Sequence, residues 1–562
     1  MPPDPHAQTP RQLADRYVTD LAALDPLLAT GLGLIPGDDR MPDLSPEGIG
    51  ARTELARRTL AALDDIEAAS DLDELEVRCA RVLRERLGSI VQQSDAGDHL
   101  RDLNNLFSPV QRVREVFVLM PAATADDWAV QARRMARVPD AWSSYQRSLE
   151  AGAKSGLFAA PRQVEVAVEQ LDRWVGDADG TGSWFAAHVA AGPEALQTEL
   201  EAAAELATAG ARSLRDHLRD VYLPQAVGTP DAVGRERYAR FARRWTGADL
   251  DLDDAYRWAW EEFGRLDAQL RVEADNVLNG ATPIEAMLHL DAEGDAIDGE
   301  EAIRLHLQEL MDRAIDDLDG THFDLAEQLK VVEARIAPLG GAAAPYYSRP
   351  SLDFSRPGRT WLPTMGKTRF PLWNLVSTWY HEGVPGHHLQ LAQWVLVAPE
   401  LSIYQTSVGS NSAATEGWAL YAERLMDELG YLRTPGERLG YLDAQQMRAV
   451  RVIVDIGMHL ELEIPPDQSF HPGERWTPEL AREFFGLHCG RDPDFLDSEL
   501  VRYLGMPAQA ITYKLGERAW LEGRAAAQAR LGDAFDAKAW HMAALSMGSL
   551  GLDDLTEELG RL

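Results

Sequence analysis

The chain has 562 residues, 45% of them apolar and 15 of them tryptophan, enough to build an extensive core in one large body or in several domains. Acidic residues outnumber basic ones, 90 to 55, and the formal net charge of −35 opposes binding to nucleic-acid phosphates or anionic lipid. The two cysteines, Cys79 and Cys489, belong to no C-x-x-C pair, which argues against a thiolate metal site or a disulfide framework.

The opening stretch, MPPDPHAQTPRQLADRY, has no basic segment followed by an apolar one, and no run of about 18 apolar residues occurs in the chain. Both features suit a soluble, cytoplasmic protein. Amphipathic helix dominates from there. In DELEVRCARVLRERLGSIVQQ, Leu75, Cys79, Val82 and Leu83 fall at three- and four-residue spacing with charges between them. Pro161, Gly180 to Gly182 and Gly228 to Pro230 read as helix boundaries.

The texture changes near residue 328. LKVVEARIAP is short and rich in β-branched residues, which predicts a strand. The following Gly- and Pro-rich stretch cannot be helix. RTWLPT (359–364) reads as a second strand, placed at an edge by Pro363. Beyond Pro371 the helical pattern resumes, with Leu372, Leu375, Val376 and Trp379 on one face. Further helices are predicted at roughly 386–398, 413–429, 436–464, 477–488 and 507–532. The fold class that follows is mainly α, with a small antiparallel sheet beside the key helix. A helical N-terminal lobe (1–325) would cover a cleft in a C-terminal lobe (326–562), the two forming one continuous unit.

The chemistry concentrates in WYHEGVPGHHLQ (379–390). It starts as the H-E-x-x-H helix of zinc hydrolases, but Pro385 stands where the second histidine belongs. Along an unbroken helix His388 would rise roughly 10.5 Å above His381, too far for a shared ion. Pro385 cannot continue the hydrogen-bond ladder, and Gly386 tolerates unusual angles. A turn there could return His387 or His388 to the side of His381. Catalytic zinc commonly takes two histidines and a glutamate. SAATEGWALYAERLMDELG supplies the carboxylate as Glu416, with Glu423 seven residues later on nearly the same side. Glu382 would then act as general base.

HEGVPGHHLQ followed by EGWALYAE resembles the zinc-peptidase-like bacterial domain-of-unknown-function family 885, itself similar to helical thermolysin-type oligopeptidases and carboxypeptidases. SRPGRTWLPT and YLGMPAQAITYKLGE resemble further signatures of that family, so that the likeness runs along nearly the whole chain. It implies His381 and Glu416 as zinc ligands and Glu382 as the base. The second histidine ligand is His387 or His388, with His387 favoured because it completes the Pro-Gly turn.

A donor for the developing oxyanion is also needed. Tyr513 is the candidate, with Lys514 beside it and Gln509 one turn earlier as substrate-binding residues. Asp455 and His459, one turn apart, form a pair that could orient a ligand or hold substrate. Trp361 could line a side-chain pocket, with a peptide adding as a strand along 359–364. The expected activity is zinc-dependent hydrolysis of a short peptide or amide-containing small molecule, with no nucleic-acid or membrane partner. A homodimer is compatible with this reading. Two alternatives stay open: a metal-dependent amide hydrolase or lyase on the same scaffold, and a catalytically silent binding protein.

Overall fold

Proline and side-chain caps start the helices where the sequence places them. Thr9 opens Pro10–Leu24 through a capping box with Gln12, and Asp73 caps Glu74–Asp95, whose Cys79, Val82 and Leu83 are buried as their spacing predicts. The computed structural model describes residues 8–69, 71–176, 180, 182–337 and 344–562; the first residues of the N-terminal stretch, position 181 and part of the Gly- and Pro-rich segment after residue 337 lie outside them. Helix dominates the described residues, with a few short strands.

The chain divides into two units. Unit one, Met1–Val233 with Val501–Met506, is helical. Its centre is Gln197–His217, whose buried Ala203, Ala204, Ala207 and Ala211 let Val138–Lys154, Pro161–Val175 and Ala125–Met135 pack close.

Unit two, Gly234–Leu500 with Pro507–Leu562, carries every residue singled out above for the site. Its helices named below are α1 (Leu252–Val277), α2 (Leu375–Glu382), α3 (His387–Leu396), α4 (Ser412–Glu428), α5 (Pro435–Leu460) and α6 (Thr512–Leu531). The division falls at Val233/Gly234, where the sequence suggested a lobe boundary near residue 325. The reason is packing: α1 lies along α5, so residues well before 325 share the core of the later helices.

Two small sheets precede the site. β1 (Ala296–Asp298) pairs antiparallel with β5 (Arg369–Pro371). The other sheet holds β2 (Val332–Ile336), β3 (Tyr346–Ser348) and β4 (Gly358–Leu362) in the order β2-β4-β3, with β4 antiparallel to β3 and parallel to β2. The strand read as an edge is therefore the middle one. Pro363 lies one residue past its end, so the missing N–H falls outside the ladder and imposes nothing on it.

A buried ion network ties α1, α4, α5 and α6 together. Lys514 Nζ contacts Glu517 and Gln445 and lies 2.9 Å from Glu262, while Arg424 donates to Glu517 at 2.6 Å and Arg265 to Glu262 at 2.7 Å. Burial alone would raise the Glu262 carboxyl, but Lys514 and Arg265 hold it down at about 2.

Candidate metal centre

Two helices and a turn set the histidines. α2 stops at Gly383, whose N–H reaches back to Trp379, and α3 begins at His387. Between them the Val384–Pro385 peptide is cis. A side chain at Gly386 would sit 2.0 Å from the His381 carbonyl oxygen, so only glycine lets the chain fold back this tightly. The turn is held from α4: Trp418 Nε1 donates to the carbonyls of Pro385 and Gly386 at 2.8 and 3.0 Å. α4 is placed in turn by α6, because Gly417 and Gly516 meet backbone to backbone; a Cβ on Gly516 would lie 2.5 Å from the Ala413 oxygen.

The result is convergence. Glu416 Oε2 lies 3.4 Å from His381 Nε2 and 3.5 Å from His387 Nε2. The two imidazole rings stand 4.7 Å apart and nearly perpendicular. Ligands held about 2.0–2.2 Å from a tetrahedral zinc stand roughly 3.3–3.5 Å from one another, the spacing seen here. Glu416 Oε2 is buried and makes no geometrically good hydrogen bond among the described residues; its charge is balanced by protonated imidazoles, or by a cation seated between them. The donor set therefore fits a zinc-like ion. Glu382 is buried beside it, and His381, Glu382 and His387 offer ligand atoms within 4.8 Å of one another. Of the two carboxylates, Glu416 makes the closer approach to both imidazoles.

The electrostatics agree. Burial would push His381 down, but Glu416 and Glu423 hold it up at about 9, so the pocket stabilises positive charge. The same imidazoles keep Glu416 well below the usual carboxylate range against its burial. Burial pushes Glu382 up, towards the range of a general base.

His388 is turned away. Its Nε2 donates to the Leu329 carbonyl at 2.8 Å, so Nδ1 of the neutral ring accepts from Tyr347 Oη at 2.9 Å. Burial pushes this imidazole down to about 4. His387 joins the cluster and His388 ties α3 to the sheet.

The other candidates have partners of their own. Trp361 lies on the half-buried face of β4, stacked on Tyr346 and bonded to Ser348; Gly358 and Thr360, on the opposite face, are buried on the side of His388. Alternation thus points Trp361 to the face opposite Gly358 and His388. Lys514 is fully buried, and its ammonium is taken up by the ion network that joins the helices. His459 is also fully buried, packed on Tyr238, and its partner Asp455 accepts from Tyr238 Oη and the Ala508 N–H; that pair anchors the segment before α6. Gln509 is buried and donates to Ser412 at the start of α4. Tyr513 carries the Arg451 guanidinium over its ring at 4.9 Å, one turn before the Gly516 contact with α4.

Glu423, on the same side of α4 as Glu416, also reaches the site. It is buried, accepts from Ser377 Oγ at 2.6 Å and stands 2.7 Å from His381 Nδ1. The seven-residue spacing from Glu416 was the signal. Nothing local in the sequence marked Tyr347 or the Leu329 carbonyl as partners of His388.

Fold and site together describe a largely helical protein with a two-histidine, one-glutamate cluster at a broken helix. The chain belongs to the family of bacterial proteins of unknown function designated DUF885, which it matches over residues 26–559. Among solved structures it is similar to one described as "the putative lipoprotein from Colwellia psychrerythraea", at 22% identity and a TM-score of 0.82 over 98% of each chain. It is also similar to "a putative lipoprotein of unknown function from Shewanella oneidensis", at 18% identity and a TM-score of 0.75 over 98% of this chain and all of that one. At these identities the likeness is one of fold. No curated protein matches the chain. Among the described residues no helix is long and apolar enough to cross a membrane.

Proposed function

We propose that the chain is a metal-dependent hydrolase, with zinc held by His381, His387 and Glu416, that cleaves short peptides. The observation that carries this reading is the convergence of Glu416 Oε2 on two imidazole nitrogens, at 3.4 and 3.5 Å. A bound zinc would polarise the scissile carbonyl and make water acidic enough to lose a proton near neutral pH. Glu382 accepts that proton and returns it to the leaving amine, a role that suits a carboxylate raised by burial. Tyr513, whose phenol donates without adding charge, is the proposed partner of the developing oxyanion.

Elemental analysis combined with mass-spectrometric screening of a short-peptide library tests the proposal. One zinc per wild-type chain and less in His381→Ala are expected. Glu382→Gln should retain zinc and lose turnover by about 10²–10⁴-fold. Zinc without any peptide cleavage would move the reading to an amide hydrolase or lyase, because a ligand set does not fix the substrate. No zinc at all would leave a binding protein.

A further inference from the structure

We infer that Glu423 is the positioning residue of this centre, fixing the tautomer of His381 and aiming its Nε2 at the cation; the inference rests on the reading of His381 as a ligand. Glu416 and Glu423 lie two turns apart on one side of α4, and the His381 ring bridges them. Nε2 faces Glu416 at 3.4 Å and Nδ1 faces Glu423 at 2.7 Å. A carboxylate only accepts hydrogen bonds, so at 2.7 Å Nδ1 must carry a proton. The opposite tautomer would place a nitrogen lone pair against a carboxylate oxygen. With Nδ1 protonated, the ring made neutral by binding a cation would offer its lone pair from Nε2, the atom turned towards Glu416.

Glu423 is itself fixed. Ser377 Oγ, one turn before His381 on α2, donates to its second oxygen at 2.6 Å, and the Arg448 guanidinium stands 3.5 Å away on the α5 side. Were Glu423 present only as a counter-ion, its shortest contact should be to Arg448. Instead its two shortest contacts both go to α2, and they lock the rotation of the carboxylate against the imidazole. A carboxylate placed behind a ligating histidine is the device that sets ring orientation and basicity in metal sites.

The test is zinc affinity of the chelator-stripped full chain, titrated against a chromophoric chelator, beside the melting temperature of the metal-free protein. Glu423→Ala is expected to raise the zinc Kd by about 10–100-fold. Glu423→Gln, whose amide oxygen still accepts from Nδ1, should recover most of that loss. Ser377→Ala should fall between. Wild-type affinity in Glu423→Ala overturns the inference, and equal weakening by Ala and Gln overturns it in favour of charge alone. Should Glu423→Ala fail to fold, an unchanged Kd in Ser377→Ala overturns it. If the wild type binds no zinc, or His381→Ala binds it equally well, the ligand reading fails and the inference with it. If His381→Ala loses zinc and Glu423→Ala keeps it, only the inference fails.

Discussion

Adjacent histidines with opposite surroundings show what single residues decide. His387 turns towards Glu416, while His388 is enclosed by the Tyr347 hydroxyl and the Leu329 carbonyl. Their substitutions should therefore separate two properties. His387→Ala should lose zinc while leaving the fold largely intact. His388→Ala should keep zinc stoichiometry but lose about 2–4 kcal/mol of stability, from a cavity and a stranded buried carbonyl. Elemental analysis and urea unfolding of both variants check this; zinc lost from the second would reverse the assignment. The sequence alone left the pair open for a physical reason. A Pro-Gly turn fixes that a histidine returns, but which one does so depends on strands β3 and β4, some 30–40 residues upstream along the chain. Glu416 was readable because its helix pattern is strong, and Glu423 was half-readable from its spacing. Lys514 and His459 are buried among partners that no local pattern marks, because polar residues in a signature look the same whether they face a cleft or a core.

Elements were legible where periodicity is long and obscure where strands are short. Helices α4 to α6 fall close to their predicted spans because their apolar stripes and caps are local properties. Pro363 alone suggests an edge for β4, but pairing partners outside any local window put the strand in the middle. The crossing of α4 and α6 is the element-level feature on which the site depends most. Gly417 and Gly516 allow backbone contact directly after Glu416, and a methyl at Gly516 would meet the Ala413 oxygen at 2.5 Å. Gly516→Ala must push the helices apart. It should cost about 1–3 kcal/mol by overpacking and also weaken zinc binding, because Glu416 moves with α4. Gly264, with open space around its Cβ position on α1, is the control: Gly264→Ala should leave zinc affinity unchanged. A Gly516 variant with wild-type zinc affinity would mean that the crossing does not place Glu416 for the proposed site.

At the scale of the molecule the acidic excess and the buried histidines pull in opposite directions as pH falls. Acidification reduces the self-repulsion of a chain carrying −35 charges, which favours the folded state. Neutral histidines enclosed by the fold oppose it. His488 sits between the rings of Phe263 and Phe484 at 4.8 and 4.6 Å, and burial pushes it down to about 4 from its ordinary 6.5. His541, buried and bonded to Tyr421, is pushed down to about 3. For each, the unfolded chain takes up a proton first. Their stabilisation is complete above the ordinary value of 6.5 and is lost as pH falls through the folded-state values. Total stability against pH mixes both trends, so the informative quantity is a difference between proteins. His488→Phe suits an aromatic surround and removes one proton-binding group without altering the charge at pH 7. In metal-free protein, the stability of wild type minus that of this variant should shrink as pH is lowered from 6.5 to 4, read from urea midpoints at each pH. A difference that stays constant across that window would show that His488 titrates alike in both states, and that its aromatic enclosure does not keep it neutral.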